Sequence, residues 1–194
     1  LSNAIHRRAL GAWVERVVFS SPGATLPVQL EDLPHRCAAL SERNFAPALL
    51  ASCSVPFALK AVHDIPDAPR GAYWDGGITD YHLHWNYRAV PAPGLVLYPH
   101  FQRTLVPGWL DKPFKRRHRP TPALDNVLVL APDPDWVRTL PGAKLPDRND
   151  FKIYATSAPT RIAAWTRAVA EAERLADEFS RWLDAPDPAR VEPL

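Results

Sequence analysis

The longest regular pattern in the chain lies near its end. Over residues 159–183 the apolar side chains Ile162, Trp165, Val169, Ala172, Ala176, Phe179 and Leu183 recur in steps of three and four. Arg161, Arg167, Glu171, Arg174, Asp177 and Glu178 fall mostly off that stripe. Such spacing predicts a long amphipathic C-terminal helix that packs one face on the core. Ser157 and Pro159 mark its start, Pro186 stops it, and the polar tail 184–194 is expected to fray. At the other end Ile5, Ala9, Trp13 and Val17, at intervals of four, predict a helical face over 5–18. Val17-Val18-Phe19 serves equally well as the start of a strand, and Pro22-Gly23 then breaks the chain.

A second helix is expected over 44–52. Asn44 would be its N-cap, Pro47 would lie in the first turn, and Leu49, Leu50 and Cys53 would supply apolar mass. Three short strands follow, at 72–74, 94–98 and 126–130. The last two, GLVLY and NVLVL, are continuously apolar, which predicts strands covered by helices on both faces. Between 99 and 124 the pattern gives only a turn near 108–110, and loops of that length in compact domains tend to carry function. No repeat or linker divides the chain, so the expectation is one α/β domain over 1–194.

Composition adds limits. The 194 residues are 46% hydrophobic and 23% charged, the balance of a globular domain, and no apolar run is long enough to cross a bilayer. A net charge of +2 gives no global attraction to nucleic acid. Cys37 and Cys53 form no CxxC pair, and are expected to be small buried apolar residues in a reducing, cytoplasmic setting.

Chemistry concentrates in GAYWDGGITDYHLHW, residues 71–85. Asp75-Gly76-Gly77 makes a turn on its own account, because both glycines accept positive φ. Its position after Tyr73-Trp74 puts Asp75 at a strand end, where α/β folds gather active groups. About twenty residues earlier, ALLASCSVP runs a helix into a small-residue bend.

The pair of motifs, with Ala51, Ser52, Ser54 and Pro56 in the first and Asp75, Gly76 and Gly77 in the second, resembles the patatin-like phospholipases over residues 40–85. The continuation ITDYHL looks like a bacterial branch of that family. The resemblance implies a three-layer α/β/α arrangement of which this chain is the C-terminal portion. It implies hydrolysis of lipid acyl esters, of phospholipid or acylglycerol type, by a Ser–Asp dyad that needs no cofactor or metal. Asp75 would be the general base, Gly76 and Gly77 would shape its turn, and a carboxylate with an ordinary pKa of about 4 would need a dry site to serve. The serine elbow G-x-S-x-G and the oxyanion loop are missing from these residues. FSSPG at 19–23 has Phe19 where the first glycine belongs. The expectation is therefore that the nucleophile lies in an N-terminal part of the same protein, that Ser20, Ser21, Ser52 and Ser54 do not replace it, and that this chain alone is inactive.

Two other readings come from the residues. Asp80, His82 and His84 alternate, so on an extended segment they would share a face and could hold a divalent ion, although hydrogen-bonded histidines are the default, as for the isolated His63 and His100. The loop 109–119 carries Lys112, Lys115, Arg116, Arg117 and Arg119 beside Trp109 and Phe114. It would suit peripheral contact with an anionic lipid surface, or would make the chain a non-catalytic lipid- or protein-binding module. No nucleic-acid-binding fold accompanies that charge.

Overall fold

A computed structural model describes residues 2–89 and 94–194. In chain order the elements are α1 (Ser2–Ile5), a 3-10 turn (Arg7–Ala12), β1 (Arg16–Ser20), β2 (His35–Ala39), α2 (Glu42–Ser52), β3 (Val62–His63), β4 (Ala72–Tyr73), α3 (Gly77–Asp80), β5 (Val96–Pro99), β6 (Val127–Leu130), α4 (Pro134–Thr139), α5 (Asp150–Ile153) and α6 (Ala158–Asp184). The architecture is mixed α/β, with two-stranded sheets and a long C-terminal helix. The chain forms two compact units, Leu1–Val96 with Thr104–Leu128, and Leu97–Arg103 with Val129–Leu194.

In the first unit the helix expected over 5–18 is replaced by the 3-10 turn and then by β1, which lies parallel to β2 with Arg16 opposite His35 and Ser20 opposite Ala39. The spacing misleads because the apolar residues are not the ones that turn inward. Ile5 and Trp13 are exposed, Trp13 at 79%, whereas Arg7 and Arg16 are drawn inside by carboxylates. The core is built around Leu10, Val28, Leu33, Ile65, Leu105 and Val106.

Helix α2 begins at Glu42, so Asn44 is not its cap. Asn44 is fully buried, accepts the Ser41 N–H through Oδ1 at 2.9 Å and donates Nδ2 to the Ala39 carbonyl at 3.0 Å. It thus ties the helix start to the end of β2. Pro47 lies inside the helix, past the first turn. Strands β3 and β4 pair antiparallel, Val62 opposite Tyr73. Strands β5 and β6 fall where the apolar runs predict them. The Val96 amide donates to the Asn126 carbonyl at 2.7 Å and the His100 amide to the Leu130 carbonyl at 2.9 Å, so the two advance in parallel. Neither is covered on both faces. Residues 127–130 of β6 are half-buried throughout, and Leu95 and Leu97 are exposed.

In the second unit α6 spans 27 residues, close to expectation, but the apolar stripe is only partly the packed face: Trp165, Ala172 and Phe179 are half-buried and the others on it are exposed. Ile162, Val169 and Leu183 are exposed, Val169 at 70%, and the innermost residue is Ala168. A polar clamp sets this orientation. The Trp165 indole N–H donates to Asp150 Oδ2 at 2.8 Å, Phe151 meets the Trp165 ring edge-on at 5.6 Å between centroids, and the small Ala168 follows within one turn. The tail does not simply fray. Arg103 pairs with Glu192 at 2.6 Å, Arg190 pairs with Glu178 at 2.5 Å, and the Trp182 indole donates to the Asp187 carbonyl at 3.2 Å.

Asp150 also accepts from Lys144 at 2.8 Å and from the Asp147 amide at 3.0 Å. The Lys144 hydrogen bond first, then the Asp147 amide, hold its carboxyl well below the usual range, at about 2. A depressed carboxyl stabilises the fold above its unfolded pKa of about 4, and that contribution drains away as pH falls toward 2. Asp150→Asn is therefore expected to lower the thermal unfolding midpoint at neutral pH and to match the parent near pH 2. Circular dichroism melts across that range check this, and a gap that stays constant with pH would contradict it.

Candidate functional site

The two sequence blocks that carry the resemblance meet in space. After β4 the Asp75 N–H donates to the Ser54 carbonyl at 3.0 Å, joining the strand end to the bend that follows α2. Asp75 is half-buried. Its Oδ1 accepts the Gly77 N–H at 2.7 Å, its carbonyl accepts the Ile78 N–H at 3.2 Å, and Oδ2 has no hydrogen-bond partner among the described residues. The carboxylate is thus fixed by one oxygen and open at the other.

The glycines act differently from expectation. Gly76 has φ −61° and Gly77 opens α3, so neither uses a left-handed conformation. What Gly77 supplies is space. A Cβ there would stand 2.9 Å from Asp75 Oδ1, whereas one at Gly76 would meet nothing within 4 Å. Gly77→Ala is expected to push the Asp75 carboxylate out of its position at little cost in stability, since the displaced atoms end a flexible side chain. Gly76→Ala should leave the corner unchanged. Crystal structures of the two variants check this, and an unmoved Asp75 in Gly77→Ala would contradict it.

Ser54 is buried and donates Oγ to the Leu50 carbonyl at 2.8 Å, and Ser52 donates to the Leu49 carbonyl at 3.0 Å. Both hydroxyls close the end of α2, a common use of serine at helix termini.

Beneath α3 lies a feature the sequence reading missed. Arg7 donates Nε to Asp32 at 2.8 Å, Nη1 to Asp111 at 2.5 Å and Nη2 to the Thr79 carbonyl at 2.5 Å. Arg16 grips Asp80 through Nε at 2.6 Å and Nη2 at 2.8 Å, and also pairs with Asp32 at 2.7 Å. Arg117 pairs with Asp111 at 2.7 Å and donates to Asn3 Oδ1 at 2.9 Å. Three arginines therefore face three aspartates and the charges cancel. Burial alone would lower the Arg16 pKa, but Asp80 and then Asp32 overturn that and raise it. Burial likewise pushes the Asp32 carboxyl up, and Arg16 and Arg7 more than reverse it. Gly108 admits this crowding, because a Cβ there would stand 2.7 Å from the Ile78 carbonyl oxygen and 2.8 Å from Arg7 Nη1. Through Thr79 and Asp80 the network fixes α3, and α3 begins at the Asp75 corner.

The alternation of Asp80, His82 and His84 does not produce a shared face. Residues 77–80 are helical, and each side chain has its own partner. Asp80 binds Arg16 and the Trp85 indole at 2.8 Å, His82 Nδ1 accepts the Val106 N–H at 2.9 Å, and His84 Nε2 bonds Thr121 Oγ1 at 2.9 Å. Among the described residues no group of three His, Cys, Asp or Glu side chains could hold a metal ion. Burial, and then the Arg7 cation, pull the His84 imidazole below its ordinary pKa, so it is neutral at pH 7.

The basic loop is partly committed inside the unit. Besides Arg117, which also stacks 4.6 Å over Phe114, Lys112 sits 3.9 Å over the Tyr81 ring. Lys115, Arg116 and Trp109 remain exposed. Cys37 and Cys53 are free thiols and both are exposed, contrary to the buried reading, because β2 has its outer face bare and Cys53 caps the end of α2. His63 is exposed, and His100 bonds the Gln102 carbonyl through Nδ1 at 2.6 Å. Among the described residues no helix is long and apolar enough to cross a membrane. No protein-family model, curated protein or solved structure matches the sequence.

Proposed function

We propose that this chain is the C-terminal portion of a patatin-like lipid acyl hydrolase. Asp75 is the general base, and the serine and oxyanion hole come from an N-terminal part of the same protein. The observation that carries the reading is the Asp75 carboxylate. One oxygen is tied to the Gly77 amide, the other is open at a half-buried corner, and the backbone is anchored to the bend after α2. In the proposed reaction the open carboxylate oxygen of Asp75 accepts the serine hydroxyl proton as the serine oxygen attacks the ester carbonyl. The acyl group passes to the serine, the alcohol leaves with a proton, and water completes the hydrolysis.

Further support comes from bare apolar side chains. Phe45, Leu49 and Leu50 on α2, and Leu95 and Leu97 beside and within β5, are exposed, as expected of elements that belong to a larger α/β/α layer structure. Completion of that arrangement by additional chain is part of the proposal. A cytoplasmic setting fits the free thiols. Peripheral contact with a lipid surface falls to Trp109 and Lys115. The alternative, a non-catalytic module acting through loop 109–119, has less support because Lys112, Phe114 and Arg117 are engaged within the unit.

The test is ester hydrolysis by the product of the complete reading frame and by its Asp75→Asn variant. Near-total loss in the variant is expected, and unchanged turnover would overturn the proposal.

A further inference from the structure

The first unit holds an open cleft of about 640 Å³, with Arg7, Arg8, Arg116 and Arg117 in its walls and Ile5 and Trp85 forming an apolar side. Its cations divide into two kinds. Arg7 and Arg117 are neutralised from below by Asp32 and Asp111. Arg8 and Arg116 are exposed and have no carboxylate partner among the described residues, and they come from segments more than a hundred positions apart. The neutral polar lining is largely self-paired: Thr121 bonds His84 at 2.9 Å and the Asn86 amide donates to Gln29 at 3.2 Å. Against these stands one uncommitted acid, the exposed Glu31 on the rim.

We infer that this cleft binds an organic phosphate, with the phosphate bridging Arg8 and Arg116 and the organic moiety lying against Trp85 and Ile5. A carboxylate satisfies one guanidinium fork, whereas a tetrahedral dianion offers enough acceptor oxygens for two. The cleft is far larger than an inorganic phosphate and falls in the range that holds small organic ligands, so the ligand carries a body as well as an anion. The inference is independent of the hydrolase reading, since neither Asp75 nor any serine takes part. A soluble phosphate monoester and a phosphatidic acid headgroup present the same chemistry.

Two arms of one experiment separate these sources. Phenyl phosphate is titrated into the protein by calorimetry at near-physiological ionic strength, and vesicles of phosphatidylcholine with and without phosphatidic acid are tested by flotation. Each arm uses the parent, Arg8→Ala, Arg116→Ala and, as exposed controls outside both the cleft and loop 109–119, Lys60→Ala and Lys152→Ala. Saturable binding weakened about tenfold by each cleft substitution and spared by both controls is expected, since each removes a charge-assisted contact. Phenyl phosphate binding assigns a soluble ester, and binding confined to phosphatidic acid vesicles assigns the headgroup. No binding in either arm, or equal losses in the control variants, would overturn the inference. Arg116→Glu, also at an exposed position, guards against a silent alanine change and should abolish binding.

Discussion

Replacing Asp111 by alanine is expected to destabilise the first unit by about 3–5 kcal/mol, the usual penalty for removing one partner from a buried ion pair. The Asp111 side chain has no solvent exposure, and it compensates both Arg7 and Arg117, which are themselves largely buried. With it gone, two guanidinium groups keep their charge inside the unit and lose a carboxylate each, and the Asn3 amide loses its 3.2 Å acceptor. A surface pair gives the contrast. Asp135 bonds Arg138 from the exposed side of α4, and Asp135→Ala is expected to change stability by no more than about 0.5 kcal/mol. Chemical denaturation of the two variants and the parent, followed by circular dichroism, checks both. Equal stability of Asp111→Ala and Asp135→Ala would mean that the ion network does not hold the unit together.

The second large effect belongs to Asp75. Under the proposed function, Asp75→Asn in the product of the complete reading frame is expected to reduce kcat/KM for ester hydrolysis by about 10²–10⁴-fold, the contribution of a positioned general base, with KM little changed. The substitution is well suited to isolating chemistry from structure. An asparagine oxygen still accepts the Gly77 amide, and the backbone bond to Ser54 does not involve the side chain. Thermal stability should therefore match the parent, and a loss of activity would report the missing base. If turnover and stability fell together, the residue would be acting through the fold.

What was legible in the sequence follows from what each signal measures. Residues 94–98 and 126–130 announce strands because short continuous apolar runs have few other uses, and β5 and β6 appear there. The period of 159–183 gives the length of α6 correctly, since helix formation depends on local spacing. It gives only part of the packed face. Of the stripe, Trp165 is held inward by its indole bond to Asp150, whereas the side chains at 162 and 169 stay in water. A related failure occurs over 5–18, where Ile5 and Trp13 point outward and Arg7 and Arg16 point in. The ion network was illegible for a simpler reason. Arg7 lies 25 positions from Asp32 and 104 from Asp111, Arg16 lies 64 from Asp80, and a lone charged residue in a sequence reads as surface. Gly108, expected only as part of a short turn near 108–110, is needed because the backbone around it is crowded. The Asp75 corner was legible as a motif, whereas the separate roles of Gly76 and Gly77 needed the neighbouring atoms.

The most direct measurement is active-site labelling. The product of the complete reading frame and its Asp75→Asn variant are incubated with a fluorophosphonate, which reacts with activated serines, and the modified peptide and its rate of formation are read by mass spectrometry. The account predicts one labelled serine, N-terminal to the residues described, with labelling slowed about 10²-fold or more in the variant. Labelling at the same rate in both proteins, or of no serine in either, would contradict it.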